Sequence, residues 1–416
     1  MSTPSFHEKG NGNKKYCAII AFMKKYRFAK RVIDVPSSGI GFMMEYAAKY
    51  DDVVSLGQGT PLFPTPSFIY DALYKRSKTD KSLGMYSGAK VENELKILIV
   101  EQMKKIYGFK PKLEQLYLTA GGIGGLFSAL MSLVEKGDEV IFFDPSYPLH
   151  LSQIHLTQAK PVFISYDEKN NWKIDLVKLK KAITAKTKAI ILTNPNNPTG
   201  TVLSKNEVKK LAEIVIKHDL ILILDEAYEF LTYGKKLFSP LKLAKLRKNI
   251  VLCKSFSKEY AMTGWRIGYV YADKKIISKI NSVHVYSNIS PATPSIVAAT
   301  IALSGKRGKK AMNKFKQEFI KSRKAICERL DNLPKLFSYH KPDGAYYTFP
   351  KFLGFKMPSL KFAMKLVDEA KVITIPGSSM GPSGEGHLRM SFAASEKIIH
   401  QAFDRIDKFA KKYKLI

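Results

Sequence analysis

This sequence predicts an α/β fold with a largely parallel, helix-covered sheet and a smaller α+β unit after it. Three observations carry the prediction. Short β-rich runs alternate with helical patterns, the runs are continuously apolar, and after Ala292 the pattern changes to long basic helices.

The runs are "LYLTA" (116–120), "EVIFFD" (139–144), "PVFISY" (161–166), "AIILT" (189–193), "LILIL" (220–224), "IVLCK" (250–254) and "RIGYVYA" (266–272). Seven strands alternating with helices predict a largely parallel sheet. Unbroken apolar runs fit strands buried on both faces. Between them, "SKNEVKKLAEIVIKHD" opens with Ser204 and Glu207 as a capping box and places Val208, Leu211, Ile214 and Val215 on one helical face. Beyond Ala292, helices are expected over about 307–331 and 395–413, with a short strand at "AYYTFP" between them. The stretch 35–66 reads as a helix, a strand and a Pro/Gly-rich loop that packs with this C-terminal unit. The expected organisation is a basic extension over 1–34, the segment 35–66, a large domain over 67–300 and a small domain over 301–416.

The chain has 416 residues, 45% of them hydrophobic, enough for a large core. Cys17, Cys253 and Cys327 lie far apart, with no disulfide framework and no metal-ligand spacing, which fits a reducing cytoplasm and no bound metal. Lys and Arg total 68 against 36 Asp and Glu, a formal charge of +32 that could attract nucleic acid, an anionic surface or acidic small molecules. The lysines are spread through helix-like stretches, so a solvated basic surface is the plainer reading. No acid occurs from Lys9 to Ile33, and the apolar run from Tyr16 to Met23 has basic flanks. That run is too short to span a bilayer and lacks the small residues of a secretory cleavage site. A loose basic extension and an amphipathic or transit-like helix both remain open for it.

In an open parallel sheet, ligands bind beyond the carboxyl ends of the strands. "AIILT" runs into Asn194-Pro195-Asn196-Asn197-Pro198-Thr199-Gly200, "LILIL" into Asp225-Glu226-Ala227-Tyr228, and "IVLCK" into Ser255-Phe256-Ser257-Lys258. Each is ordinary alone: a turn cluster, a solvated strand end, a helix cap. Spaced by one βαβ unit, roughly 30 residues, they bring an amide, a carboxylate and a lysine to one sheet edge. Lysine forms Schiff bases with carbonyls, a carboxylate can hold a pyridine nitrogen protonated, and hydroxyls with Arg266 at a helix start suit a phosphate monoester. That set describes pyridoxal phosphate.

With "SFSKEYAMTGWRIGY", "NPNNPTG" and "DEAY" in hand, the chain from about Val35 onward resembles the class I/II aminotransferases of fold type I, the aspartate aminotransferase group in particular. The resemblance implies pyridoxal 5'-phosphate held as an internal aldimine on Lys258, which then becomes the catalytic base. It implies ping-pong transfer of an amino group from an L-amino acid, aspartate favoured, to a 2-oxo acid such as 2-oxoglutarate. Asp225 would pair with the pyridinium nitrogen, and Asn197 and Tyr228 would bond the phenolate oxygen. Ser255, Ser257 and Arg266 would hold the phosphate with backbone amides of Gly121, Gly122 and Ile123, while Tyr147 would stack on the ring. Tyr86 would reach the partner subunit's phosphate, implying a homodimer with shared sites, although Val91 stands where the family usually has glycine. Arg389 in "GEGHLRMSFA" would take the substrate α-carboxylate, with Asn197 beside it and Gly59 in the loop closing over substrate.

Lys258 and Asp225 would serve other fold type I enzymes as well, such as a cysteine-conjugate β-lyase or an aminocyclopropane-carboxylate synthase. From a different class, the charge admits a cofactor-sensing nucleic-acid-binding regulator. No helix-turn-helix pattern precedes the match, so nucleic acid is not expected, and the short apolar run gives no expectation of stable membrane insertion.

Overall fold

The computed structural model describes residues 27–416 apart from 34, 37 and 62, so most of the basic N-terminal stretch lies outside the described residues. All seven expected strands form. They are β2 (Leu116–Thr119), β3 (Glu139–Asp144), β4 (Lys160–Ser165), β5 (Thr187–Thr193), β6 (Ile221–Asp225), β7 (Ile250–Ser255) and β8 (Gly268–Tyr271), after a short β1 (Val54–Ser55). One sheet holds the seven in the order β2-β8-β7-β6-β5-β3-β4, and β8 runs antiparallel to both its neighbours, β2 and β7. The remaining pairs are parallel.

Both faces of this sheet are apolar because successive side chains on a strand point to opposite sides. In β3, Ile141 and Phe143 join one buried cluster while Val140 and Phe142 join another; in β6, Leu222 and Leu224 divide from Ile223 in the same way. Helices cover both. The helix Lys205–Lys217 starts at Ser204, with the Ser204–Glu207 box formed, and buries Val208, Leu211, Ile214 and Val215. The helix Gly121–Leu133 lies so close to β8 that a Cβ on Gly125 would sit 2.6 Å from Val270 Cγ2.

In the C-terminal part, helices Gly305–Asp331 and Glu396–Lys412 accompany a small antiparallel sheet of Tyr347–Thr348, Leu388–Ser391 and Ile375–Pro376. The segment ahead of the large sheet joins this part. β1 pairs in parallel with Val372–Ile373, and Asp368 accepts hydrogen bonds from Tyr46 Oη (2.7 Å) and Tyr50 Oη (2.9 Å). Among the described residues no helix is long and apolar enough to cross a membrane.

Filling the space over Gly125 would push the helix that carries the Gly121–Ile123 amides away from the sheet. Gly125→Ala is therefore expected to lower stability by about 1–3 kcal/mol, read from the denaturant midpoint at constant m-value.

Candidate functional site

The ladder aligns the informative strand ends: Thr193 pairs with Asp225, Asp225 with Cys253, and Ser255 with Gly268. The turns leaving β5, β6 and β7 therefore open side by side onto one cavity of about 270 Å³. Twelve of the expected residues line it: Gly59, Gly122, Ile123, Tyr147, Asn197, Asp225, Tyr228, Ser255, Ser257, Lys258, Arg266 and Arg389. Tyr86 lies elsewhere, 76% exposed. Gly121 does not reach the wall.

Lys258 Nζ donates to the Gly59 carbonyl at 2.6 Å. Burial lowers its pKa to about 8, helped by the like charges of Arg389 and Arg266 and opposed by Asp225. The lowered pKa raises the neutral fraction at near-neutral pH, which an amine nucleophile and proton acceptor needs. Asp225 Oδ2 lies 3.1 Å from His150 Nε2, and its Oδ1 accepts the Ala227 N–H at 3.1 Å. His150 is buried and its other ring nitrogen has no partner.

Arg389 sits inside the strand Leu388–Ser391, fully buried, where Nη1 donates to Asn197 Oδ1 (3.3 Å) and Nη2 to the Gly57 carbonyl (2.7 Å). Its guanidinium lies 4.7 Å from the centre of the Tyr347 ring. The Tyr228 and Tyr347 hydroxyls meet at 3.0 Å, and burial holds the Tyr228 phenol well above its ordinary pKa, so it stays a neutral hydrogen-bond donor.

At the other end, Ser255 caps the short helix Phe256–Glu259 by accepting the Ser257 N–H at 3.1 Å. Arg266 differs from expectation: it is not at a helix start. It has left-handed backbone (φ 49°) between the turn Thr263–Trp265 and β8, and Nη1 donates to the Thr263 carbonyl at 2.9 Å. The turn aims the guanidinium at the helix Gly121–Leu133, where a Cβ on Gly121 (φ 74°) would come 2.5 Å from Nη2. A Cβ on Gly122 would come 3.2 Å from Ser255 Cβ. Bare glycine backbone, two hydroxyls and a guanidinium thus frame a concave, cationic corner suited to a phosphate.

The arrangement fits pyridoxal phosphate. Besides this corner, it offers a carboxylate backed by His150, a buried phenol donor and a half-buried lysine. The buried atoms Thr193 Oγ1, His150 Nδ1 and Arg389 Nε have no hydrogen-bond partner, and all three residues line the cavity. Sequence reasoning missed His150, Thr193 and Tyr347. His150 follows Tyr147 by one helical turn in the helix Pro148–Leu156, so its only signal was that spacing. Tyr347 gave no signal of its own, because the adjacent Tyr346 is equally buried and only packing separates their roles.

Residues 51–406 match the family model for aminotransferase class I and II. The aspartate aminotransferase of Pyrococcus horikoshii is 37% identical over 92% of this chain and 97% of its own. Aromatic-amino-acid aminotransferase 2 of Thermococcus litoralis is 33% identical over 92% and 98%. Among solved structures, the aromatic aminotransferase of P. horikoshii superposes with a TM-score of 0.83 at 32% identity, covering 90% of this chain and 100% of that one. The aspartate aminotransferase of Thermus thermophilus with maleate gives 0.86 at 27% identity, covering 92% and 99%.

The depressed Lys258 pKa is measurable in cofactor-free protein. Its acylation rate should rise through a midpoint near pH 8. Arg389→Met removes a like charge and should raise that midpoint; Asp225→Asn removes an opposite charge and should lower it. A parent midpoint near the ordinary lysine value of about 10.4 would contradict the burial argument.

Proposed function

Since the chain belongs to the class I and II aminotransferases, pyridoxal-phosphate-dependent enzymes of fold type I, we propose that it moves an amino group from L-aspartate to 2-oxoglutarate by a ping-pong mechanism. The observation that carries the site is Lys258, with its lowered pKa, in one cavity with Asp225, Arg266 and Arg389.

When bound, pyridoxal phosphate supplies a carbonyl that condenses with amines and a ring that accepts the electron pair left at Cα. The chain does the rest. Ser255, Ser257, Arg266 and the amides of Gly122 and Ile123 would bind the phosphate, and Tyr147 would lie against the ring. Asp225, held by His150, keeps a proton on the ring nitrogen, while Asn197 and Tyr228 donate to the ring oxygen. Arg389 exchanges its Gly57 contact for the substrate α-carboxylate, which fixes the Cα–H bond relative to Lys258. Lys258 Nζ then takes the proton from Cα. Gly59 must be glycine in this scheme, because a Cβ there would strike the Tyr347 hydroxyl.

Relatives named for aspartate and for aromatic donors both match over nearly the whole chain, and the geometry favours an aromatic or neutral donor as the second reading. Lys258, Arg266 and Arg389 are the cations of the cavity wall among the described residues; the wall also presents Ile40 and Tyr347. With those cations engaged, a second substrate carboxylate would need a cation from elsewhere.

The proposal also divides the chain into a cofactor-binding domain over 67–300 and a smaller unit of 35–66 with 301–416. It makes the enzyme a cytoplasmic homodimer in which Tyr86 reaches the partner's phosphate corner. Support for the dimer comes from exposed Tyr74, Met85, Tyr86 and Tyr286, at 65%, 67%, 76% and 91%.

A donor panel with 2-oxoglutarate, followed by glutamate formation, should show aspartate turned over fastest and parallel lines in double-reciprocal plots. Faster turnover of phenylalanine or tyrosine would transfer the assignment to the second reading. Pyruvate and ammonia without a new amino acid would indicate elimination. Lys258→Ala should lower turnover by about 10²–10⁴-fold or more, and borohydride should fix the cofactor on the Lys258 peptide alone. Mixing Lys258→Ala with Tyr86→Ala protein should yield hybrid dimers that contain one site free of both changes. Activity above that of either variant alone supports shared sites, and none above it counts against them.

A further inference from the structure

A buried lysine lies behind the site. Lys254 is 3% exposed, and its Nζ donates to the Glu226 backbone carbonyl at 3.1 Å and pairs with the carboxylate of Glu229. Glu226 and Glu259 are buried with it, 0% and 5% exposed. None of these four residues borders the cofactor cavity; Glu229 and Glu259 border a different one, beside Gln102. Yet three of the four are chain neighbours of proposed site residues: Glu226 follows Asp225, Lys254 precedes Ser255, and Glu259 follows Lys258.

The β6–β7 ladder ends at the Asp225–Cys253 pair. Beyond it no ladder pair joins the two strands, and the Lys254 side chain bridges them there through the Glu226 carbonyl. The helix Ala89–Tyr107 closes the cluster from outside. Tyr107 Oη donates to Glu226 Oε2 at 2.7 Å, and Gln102 Nε2 to Glu259 Oε1 at 3.1 Å. Three carboxyl groups thus lie around one ammonium that pairs directly with Glu229 alone, and they cannot all be charged cheaply. Burial raises Glu226 to about 7 and Glu259 to about 8. Burial also works against the Lys254 charge, but attraction by Glu229 and Glu259 outweighs it and keeps the ammonium protonated. An ammonium in that setting has every reason to keep its few partners, and through them it constrains the backbone that carries the site.

We propose that Lys254 is a positioning residue for the cofactor site: buried among Glu226, Glu229 and Glu259, it ties the carboxyl ends of β6 and β7 and the Lys258 turn together, so that Asp225, Ser255 and Lys258 address the same cofactor. The proposal rests on the site assignment made above. It places the control of cofactor alignment in a cluster that touches neither cofactor nor substrate.

Removing Lys254 alone would strand buried carboxylates, so the informative variant is the double Lys254→Met/Glu229→Gln, which removes one charge of each sign and deletes the bridge. Reconstituted protein is titrated with pyridoxal phosphate, and the pH midpoint of its visible absorbance is measured with kcat and KM. Expected results are cofactor affinity roughly tenfold weaker, a midpoint displaced by roughly half a unit or more, and a lower kcat with KM little changed. Tyr107→Phe keeps the ring and removes the hydroxyl that holds Glu226; it should move affinity and midpoint the same way by roughly threefold and a smaller displacement. Parent-like affinity and midpoint in a folded double variant overturn the proposal, even if thermal stability falls, because the cluster is then structural only. If the double variant does not fold, Tyr107→Phe decides on the same two measurements. A borohydride label on a lysine other than Lys258 in the parent protein would instead remove the site assignment, separating that failure from this one.

Discussion

The structure depends on the parallel register of β5, β6 and β7. A parallel ladder forces neighbouring strands to end on the same side, and here it aligns Thr193, Asp225 and Cys253 across three strands. Chemistry that the chain disperses over some sixty residues therefore leaves the sheet at one edge. The antiparallel β8 completes the site from the opposite direction, because its start lies beside the end of β7 and delivers Arg266 next to Ser255.

Concentrating charge there has an electrostatic cost that the surroundings distribute. Lys258 yields part of its proton affinity to burial and to two guanidinium groups, which suits an amine that must be neutral to react. The buried Arg389 guanidinium bonds to Asn197 and the Gly57 carbonyl and lies against Tyr347. Asp225 is matched by His150. Behind this layer lies a further set of buried charges around Lys254, attached to the same strand ends. The site and this cluster are thus joined through the backbone of the same strand ends.

Legibility in the sequence followed the range of the interactions. Strands buried on both faces leave unbroken apolar runs; the edge strand β4, with only Ile164 buried, was visible from its β-rich composition, and the helix between β5 and β6 from its Ser204–Glu207 cap. Lys258, Asp225, Asn197 and Ser255 were visible because the βαβ repeat converts sequence spacing into spatial adjacency. Arg266 was legible as a residue and misplaced as geometry: the chain turns through a left-handed residue where a helix start had been expected. His150 and Tyr347 were not legible, since a buried histidine or tyrosine has the same local pattern whether it packs a core or backs a site.

By itself the sequence determined the sheet, its covering helices and the strand-end residues of the site, because each is encoded in periodicity and local capping over a few residues. Only the tertiary structure decided which groups those residues meet: His150 against Asp225, Arg389 against Asn197, Gly59 beneath Tyr347, Lys254 across the ends of β6 and β7. These contacts join segments from tens to hundreds of residues apart. They are set by how helices and the small sheet pack on the large one, and no short stretch of sequence records that packing.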